Sequence, residues 1–147
     1  MRLKVPAFVV IASALAIYRA AAAEPSAPGP ATAGLQAYKA DGAEAAVKAW
    51  LKGSPLEGGH EATALITSLR GIEDLIGKYQ DYFVARTVAF TPNCQLSYIQ
   101  MNYTKGPLFA KFLVFKTGSG WIVETVRFHT DPEQVWPSRL LSAEVKE

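Results

Sequence analysis

Between residues 82 and 130 the chain runs through four stretches rich in Val, Ile, Phe, Tyr and Thr, residues 82–90, 95–103, 108–117 and 120–130. β-Branched and aromatic side chains favour strands. The gaps between these stretches are at most four residues long. A parallel pair needs a crossover of a dozen residues or more, so gaps this short allow only antiparallel neighbours. The second half of the chain is therefore constrained to a four-stranded antiparallel meander. Thr117-Gly118-Ser119-Gly120 fits a two-residue type II′ turn with glycine first. That register pairs Phe115 with Ile122 and Phe109 with Phe128, and it sets Lys111 diagonal to Glu124 as an expected ion pair on one face. Thr104-Lys105-Gly106-Pro107 turns the preceding hairpin.

In this register the last hairpin is apolar on both faces. One holds Phe109, Leu113, Phe115, Ile122, Val126 and Phe128; the other holds Leu108, Ala110, Phe112, Val114, Trp121 and Val123. An antiparallel sheet with one wet face alternates apolar and polar residues. Helices can cover only one side of it. The second side must meet a partner subunit, enclose a pocket, or lie under a linker or tail. A symmetric homodimer through the sheet is the simplest expectation.

The first half reads as helix. Asp41-Gly42-Ala43-Glu44 has the spacing of a capping box, with Asp41 as the cap. Ala43, Val47, Trp50 and Leu51 follow on one helical face, and Gly53 ends the run with Ser54-Pro55 behind it. A second helix carries Ala62, Leu65, Leu69, Ile72, Ile76 and Tyr79 on one stripe, widened by Ile66 and Leu75. Thr63, Thr67, Arg70, Asp74 and Lys78 take its opposite face, so this helix lies on a core. Gly77 marks a kink or an end. After the strands, Asp131-Pro132-Glu133 reads as the cap and first turn of a short closing helix.

Residues 1–23 are expected to be a cleavable signal peptide. Arg2 and Lys4 precede 14 uncharged residues, 5–18, and Ala21-Ala22-Ala23 offers a cleavage site before Glu24. The apolar run falls short of the ~20 residues a spanning helix needs, so no stable membrane anchor is expected. Residues 24–34, EPSAPGPATAG, read as a Pro/Ala-rich linker. Residues 35–137 form the expected single α+β domain, and residues 138–147 a C-terminal tail. Arg2, Lys4 and Arg19 leave with the leader, so 12 basic side chains stand against 13 acidic ones, a net charge of −1. The remaining chain has no basic run, which excludes nucleic acid as an expected partner. Cys94 is alone and cannot form an intrachain disulfide. The expected location is periplasmic or secreted.

Three stretches resemble a known group: WLKGSPLEG at 50–58, IEDLIGKYQDY at 72–82, and GPLFAKFLVFKTGSGWIVETVRFHTDPE at 106–133. With helices followed by a four-stranded meander, the chain resembles small exported bacterial proteins of unknown function with a cystatin-like, or nuclear-transport-factor-2-like, cone fold. The resemblance implies N-terminal helices packed on a curved antiparallel sheet. It also implies a superfamily that mixes non-catalytic members with cofactor-free isomerases and dehydratases, whose acid–base groups sit inside the cone. No catalytic position carries over to this sequence, because fold alone does not transfer chemistry.

Acid–base candidates are few. His60 reads as a solvated surface residue. His129 ends the last strand two residues before Asp131; a capping aspartate beside a strand-end histidine is the first reading, and a His–Asp pair at a cone mouth is the alternative. Tyr98 and Tyr103 are candidates to donate a hydrogen bond to a ligand carbonyl, and Arg127 to anchor an anionic ligand. These four residues, Tyr98, Tyr103, Arg127 and His129, are the candidates for a ligand pocket; core tyrosines with hydroxyls at the rim, and an interface or edge charge at Arg127, are the first readings. No catalytic set, metal ligands or cofactor motif is read from the sequence. The expected function is a non-catalytic binding or assembly module of the bacterial periplasm, with a small-molecule or envelope-protein ligand. The alternative is a small isomerase- or dehydratase-like enzyme.

Overall fold

The computed structural model describes residues 29–142. The leader reading, the first part of the linker reading and the end of the tail fall outside these residues. Three helices, α1 (Gly29–Asp41), α2 (Ala43–Leu51) and α3 (His60–Ile76), precede four strands, β1 (Tyr79–Thr91), β2 (Cys94–Tyr103), β3 (Gly106–Thr117) and β4 (Gly120–His129). A 3₁₀ turn (Pro132–Gln134) and a short helix α4 (Ser138–Leu141) close the described chain. The strands form one antiparallel sheet in the order β1-β2-β3-β4. This is the α+β layout expected from the sequence, helices first and meander second, and the short gaps require its antiparallel order.

The core lies between the helices and one face of the sheet. Ala43, Val47, Trp50 and Leu51 are all buried, as their helical spacing predicts. They meet Ile99 and Met101 of β2, Leu108, Ala110, Phe112 and Val114 of β3, and Val123 of β4. Trp50 is fully buried, its ring centroid 5.2 Å from that of Phe112. Its indole N–H donates to the Ala31 carbonyl at 3.0 Å. Gly34 lies directly against the same indole, leaving no room for a Cβ. Only a glycine lets the α1 backbone come this close to the ring.

Several local expectations are corrected. Residues 29–34, read as linker from their Pro, Gly and Ala content, belong to α1, with Ala31 and Gly34 buried. Burial against Trp50 outweighs weak intrinsic propensity, as tertiary packing commonly does. Asp41 ends α1 and does not cap α2. The N-cap is Gly42, at φ +90°, and it makes no side-chain cap bond. Gly42 joins the helices through its backbone, its N–H donating to Tyr38 and its carbonyl accepting from Ala46. On α3, Ile66 joins the packed stripe but Leu75 is 67 % exposed. Tyr79 has left the helix and starts β1.

The register of the last hairpin is the correction with the largest consequence. Phe115 pairs with Ile122 as expected, but between Leu113 and Val114 the register slips. Glu124 is the extra residue. Beyond it Phe112 faces Val126, Lys111 faces Arg127, Ala110 faces Phe128, and Phe109 faces His129. A one-residue slip sends every later side chain to the other side of the sheet. Val126 and Phe128 therefore pack against the core under the helices. Arg127 and His129 move to the side free of α1, α2 and α3, the helix-free side with respect to those three. Lys111 sits opposite a cation, not diagonal to a carboxylate. The turn also differs in detail: the positive φ belongs to Gly120, at +128°, and not to Gly118.

Candidate functional site

Between the helices and the sheet, side chains occupy the core. Trp50, Phe112, Leu35, Leu51, Ile99, Met101 and Leu108 are fully buried side chains. Tyr103 of the expected pocket points inward but belongs to a closed aromatic cluster. Its hydroxyl donates to that of Tyr38 at 3.2 Å, and Tyr38 stacks on Tyr79 with ring centroids 4.4 Å apart. Tyr79 and Tyr103 meet edge to face at 5.6 Å. Burial pushes all three phenols well above the ordinary tyrosine value of 10.0. For Tyr103, donation to Tyr38 adds to the effect. The cluster ties α1 to β1 and β2, and sequence reasoning missed Tyr38 as its centre. The partners lie 65 residues apart, and no local pattern links them.

The sign of these shifts fixes an alkaline limit on the fold. A phenol held neutral in the folded state contributes fully below the unfolded value near 10, and the contribution is lost as pH rises beyond it. Each such tyrosine removes up to ~1.4 kcal/mol of stability per pH unit above that point. Urea unfolding from pH 8 to 12 should show a plateau followed by a steep fall. Replacing Tyr38 and Tyr103 together with Phe should make the fall shallower. A stability flat across the whole range would refute this account.

The other three expected site residues lie on the helix-free face. Cross-strand pairing aligns Arg86 of β1 with Tyr98 of β2, Tyr98 with Lys111 of β3, and Lys111 with Arg127 of β4. Residues paired directly opposite one another share a face. Three cations and one tyrosine thus form a row across all four strands. Among the described residues the one ion pair is Arg70 with Glu44, on the helices. No carboxylate of the described residues lies within salt-bridge reach of the row. Like charges directly opposed destabilise a sheet, so Lys111 and Arg127 are held together at a cost to stability.

His129 lies one row further, facing Phe109. Its Nδ1 accepts from the Asp131 backbone N–H at 2.9 Å, while the Asp131 carboxylate accepts from the Glu133 N–H at 3.0 Å. The aspartate therefore caps the 3₁₀ turn, and the His–Asp carboxylate pair does not form. A polar relay starts in this row, at Gln100 opposite Phe109, and runs along the same face. Gln100 donates to Asn102 at 2.8 Å and Asn102 to Asp81 at 2.6 Å.

The C-terminal segment crosses this face and covers part of it. Trp136 packs edge to face on Phe109, with centroids 4.9 Å apart, and its indole N–H donates to the Ala110 carbonyl at 3.1 Å. Between α4 and the β1–β2 end of the face a groove of about 470 Å³ remains, lined by Arg86, Val88, Phe90, Tyr98, Arg139 and Leu140, together with Pro137 and Ser138. Phe90 in this lining is 58 % exposed, and Phe83 on β1 is 64 % exposed. Tyr98 lines this groove, Arg127 and His129 lie further across the face, and Tyr103 is on the opposite side of the sheet. Arg86 was read as one of several strand residues able to converge in a polar pocket, and Arg139 is the residue that sequence reading did not join to the site.

Among the described residues no group of His, Cys, Asp and Glu is placed to hold a metal ion, and no helix is long and apolar enough to cross a membrane. The architecture defines an α+β domain of three helices on one face of a four-stranded antiparallel sheet, with a cationic row on the other. No family model, curated protein or solved structure matches the chain.

Proposed function

We propose that this chain is an exported, non-catalytic binding module of the bacterial periplasm, and that it engages its partner through the helix-free face of the sheet. The observation that carries this reading is the row of Arg86, Lys111 and Arg127 with Tyr98, with which no carboxylate of the described residues pairs. Such a row is unfavourable in the isolated domain and becomes favourable when an anionic partner lies on it. The closed interior supports the same reading. An isomerase-like site needs an open, partly polar cone, and Trp50 and Phe112 occupy that volume. The leader-like residues 1–23 support export. The order of elements supports the likeness to the cystatin-like cone.

A symmetric homodimer through the same face is the second reading, favoured by exposed Phe83, Phe90 and Phe115. A two-fold axis through the centre of the face brings two cationic rows together, so the hetero-partner is placed first. Site-specific photo-crosslinking in cells separates the readings. A photoreactive residue at Phe83 should give an adduct in the periplasmic fraction, and one at exposed Leu75 on α3 should not. An adduct of twice the chain mass identifies a second copy and replaces the hetero-partner reading. Equal labelling at both positions, or none at Phe83, overturns the surface assignment.

A further inference from the structure

We infer that the groove between α4 and the β1–β2 end of the sheet binds a small amphiphilic monoanion, a carboxylate carried on an apolar body; this rests on the helix-free face being the binding surface. The groove has two arginines on different walls, Arg86 from the sheet and Arg139 from α4. No carboxylate of the described residues pairs with either. Two guanidinium groups lining one groove repel each other until an anion sits between them, and a planar carboxylate matches their paired N–H donors. Tyr98 also lines the groove.

The rest of the lining decides what the anion is attached to. Val88, Phe90 and Leu140 supply apolar walls, and the volume of about 470 Å³ suits a small molecule. A bare inorganic anion would leave these walls wet. A long polyanion would gain from the rest of the cationic row but not from the apolar walls. An amphiphile with one charged end satisfies both halves of the lining. Lys111 and Arg127, further along the row, raise the local concentration of the anion without touching it.

The test is titration calorimetry on the purified full chain with decanoate, decanol and inorganic phosphate. Decanoate should bind one to one. Decanol should bind at least about ten-fold more weakly, because it leaves both arginines unpaired. Arg86→Gln and Arg139→Gln should each weaken decanoate about ten-fold, while Lys39→Gln, at an exposed position of α1 outside the row and the groove, should shift it about two-fold or less. Both arginines are exposed, so these variants are expected to fold, and circular dichroism checks that they do. Equal affinity for decanol and decanoate, unchanged binding in both arginine variants, or phosphate binding as tightly as decanoate would overturn the assignment. Absence of decanoate binding alongside a retained crosslink at Phe83 would reject the ligand class and leave the surface intact. Loss of both would reject the surface too.

Discussion

Trp50→Ala is expected to lower the unfolding free energy by about 3–5 kcal/mol, the largest effect of any single truncation in this domain. The indole is fully buried at the meeting point of α1, α2 and the sheet. It touches Phe112 and Tyr38 and holds the Ala31 carbonyl through its N–H. Truncation opens a cavity, removes those contacts and leaves the carbonyl of a buried residue without its side-chain donor. The α1 backbone at Gly34 also loses the surface it rests on. Residues 29–34 have little else to keep them helical, so their amide exchange should rise more than that of β2 and β3. Urea denaturation measures the first effect and hydrogen exchange the second. A loss under about 1 kcal/mol would show that Trp50 does not organise the core.

Gly77→Ala is the second substitution expected to be severe. Gly77 ends α3 at φ +90°, ψ −161°, a conformation open essentially to glycine. Forcing a side chain there costs about 1–3 kcal/mol from the backbone alone. A Cβ would also overlap the Thr104 hydroxyl. That hydroxyl accepts from the Lys78 N–H at 3.1 Å, and the Thr104 N–H donates to the Lys78 carbonyl at 3.0 Å. The Lys105 N–H adds a bond to the Ile76 carbonyl at 2.9 Å. The substitution therefore strains the helix end and displaces the clip that joins α3 to the β2–β3 turn. Thermal and urea unfolding should both report a larger loss than for Gly71→Ala, where nothing lies near the added Cβ. Equal losses at the two glycines would refute the clip.

Much of the fold was legible because its periodicities are local. The α2 face of Ala43, Val47, Trp50 and Leu51 follows from helical spacing alone, and all four are buried. The short gaps forced the meander, and the sheet order is the one they require. The α1 start was not legible, because a Pro-, Gly- and Ala-rich stretch has no pattern of its own until Trp50 packs on it. A trace of the Glu124 bulge was present. Trp121 and Val123 fall on odd positions and Val126 and Phe128 on even ones, yet all four pack against the core. That phase change marks an inserted residue, and a uniform two-residue period reads past it. The site shared this fate. Tyr98, Arg127 and His129 were picked out as single residues, but the row they define depends on which side of the bulge each one lies.

By itself the sequence determined that helices precede the strands, the antiparallel pairing and the near-neutral charge of the chain after residue 23, since these depend on spacing and composition. The tertiary structure decided which face each β4 residue takes, that the interior is filled, and that Arg86 and Arg139 line one groove. Those outcomes turn on a single extra residue and on contacts between distant segments. Side-chain alternation has a period of two, so one inserted residue reverses the sheet face, and no local pattern reports what distant segments bring together.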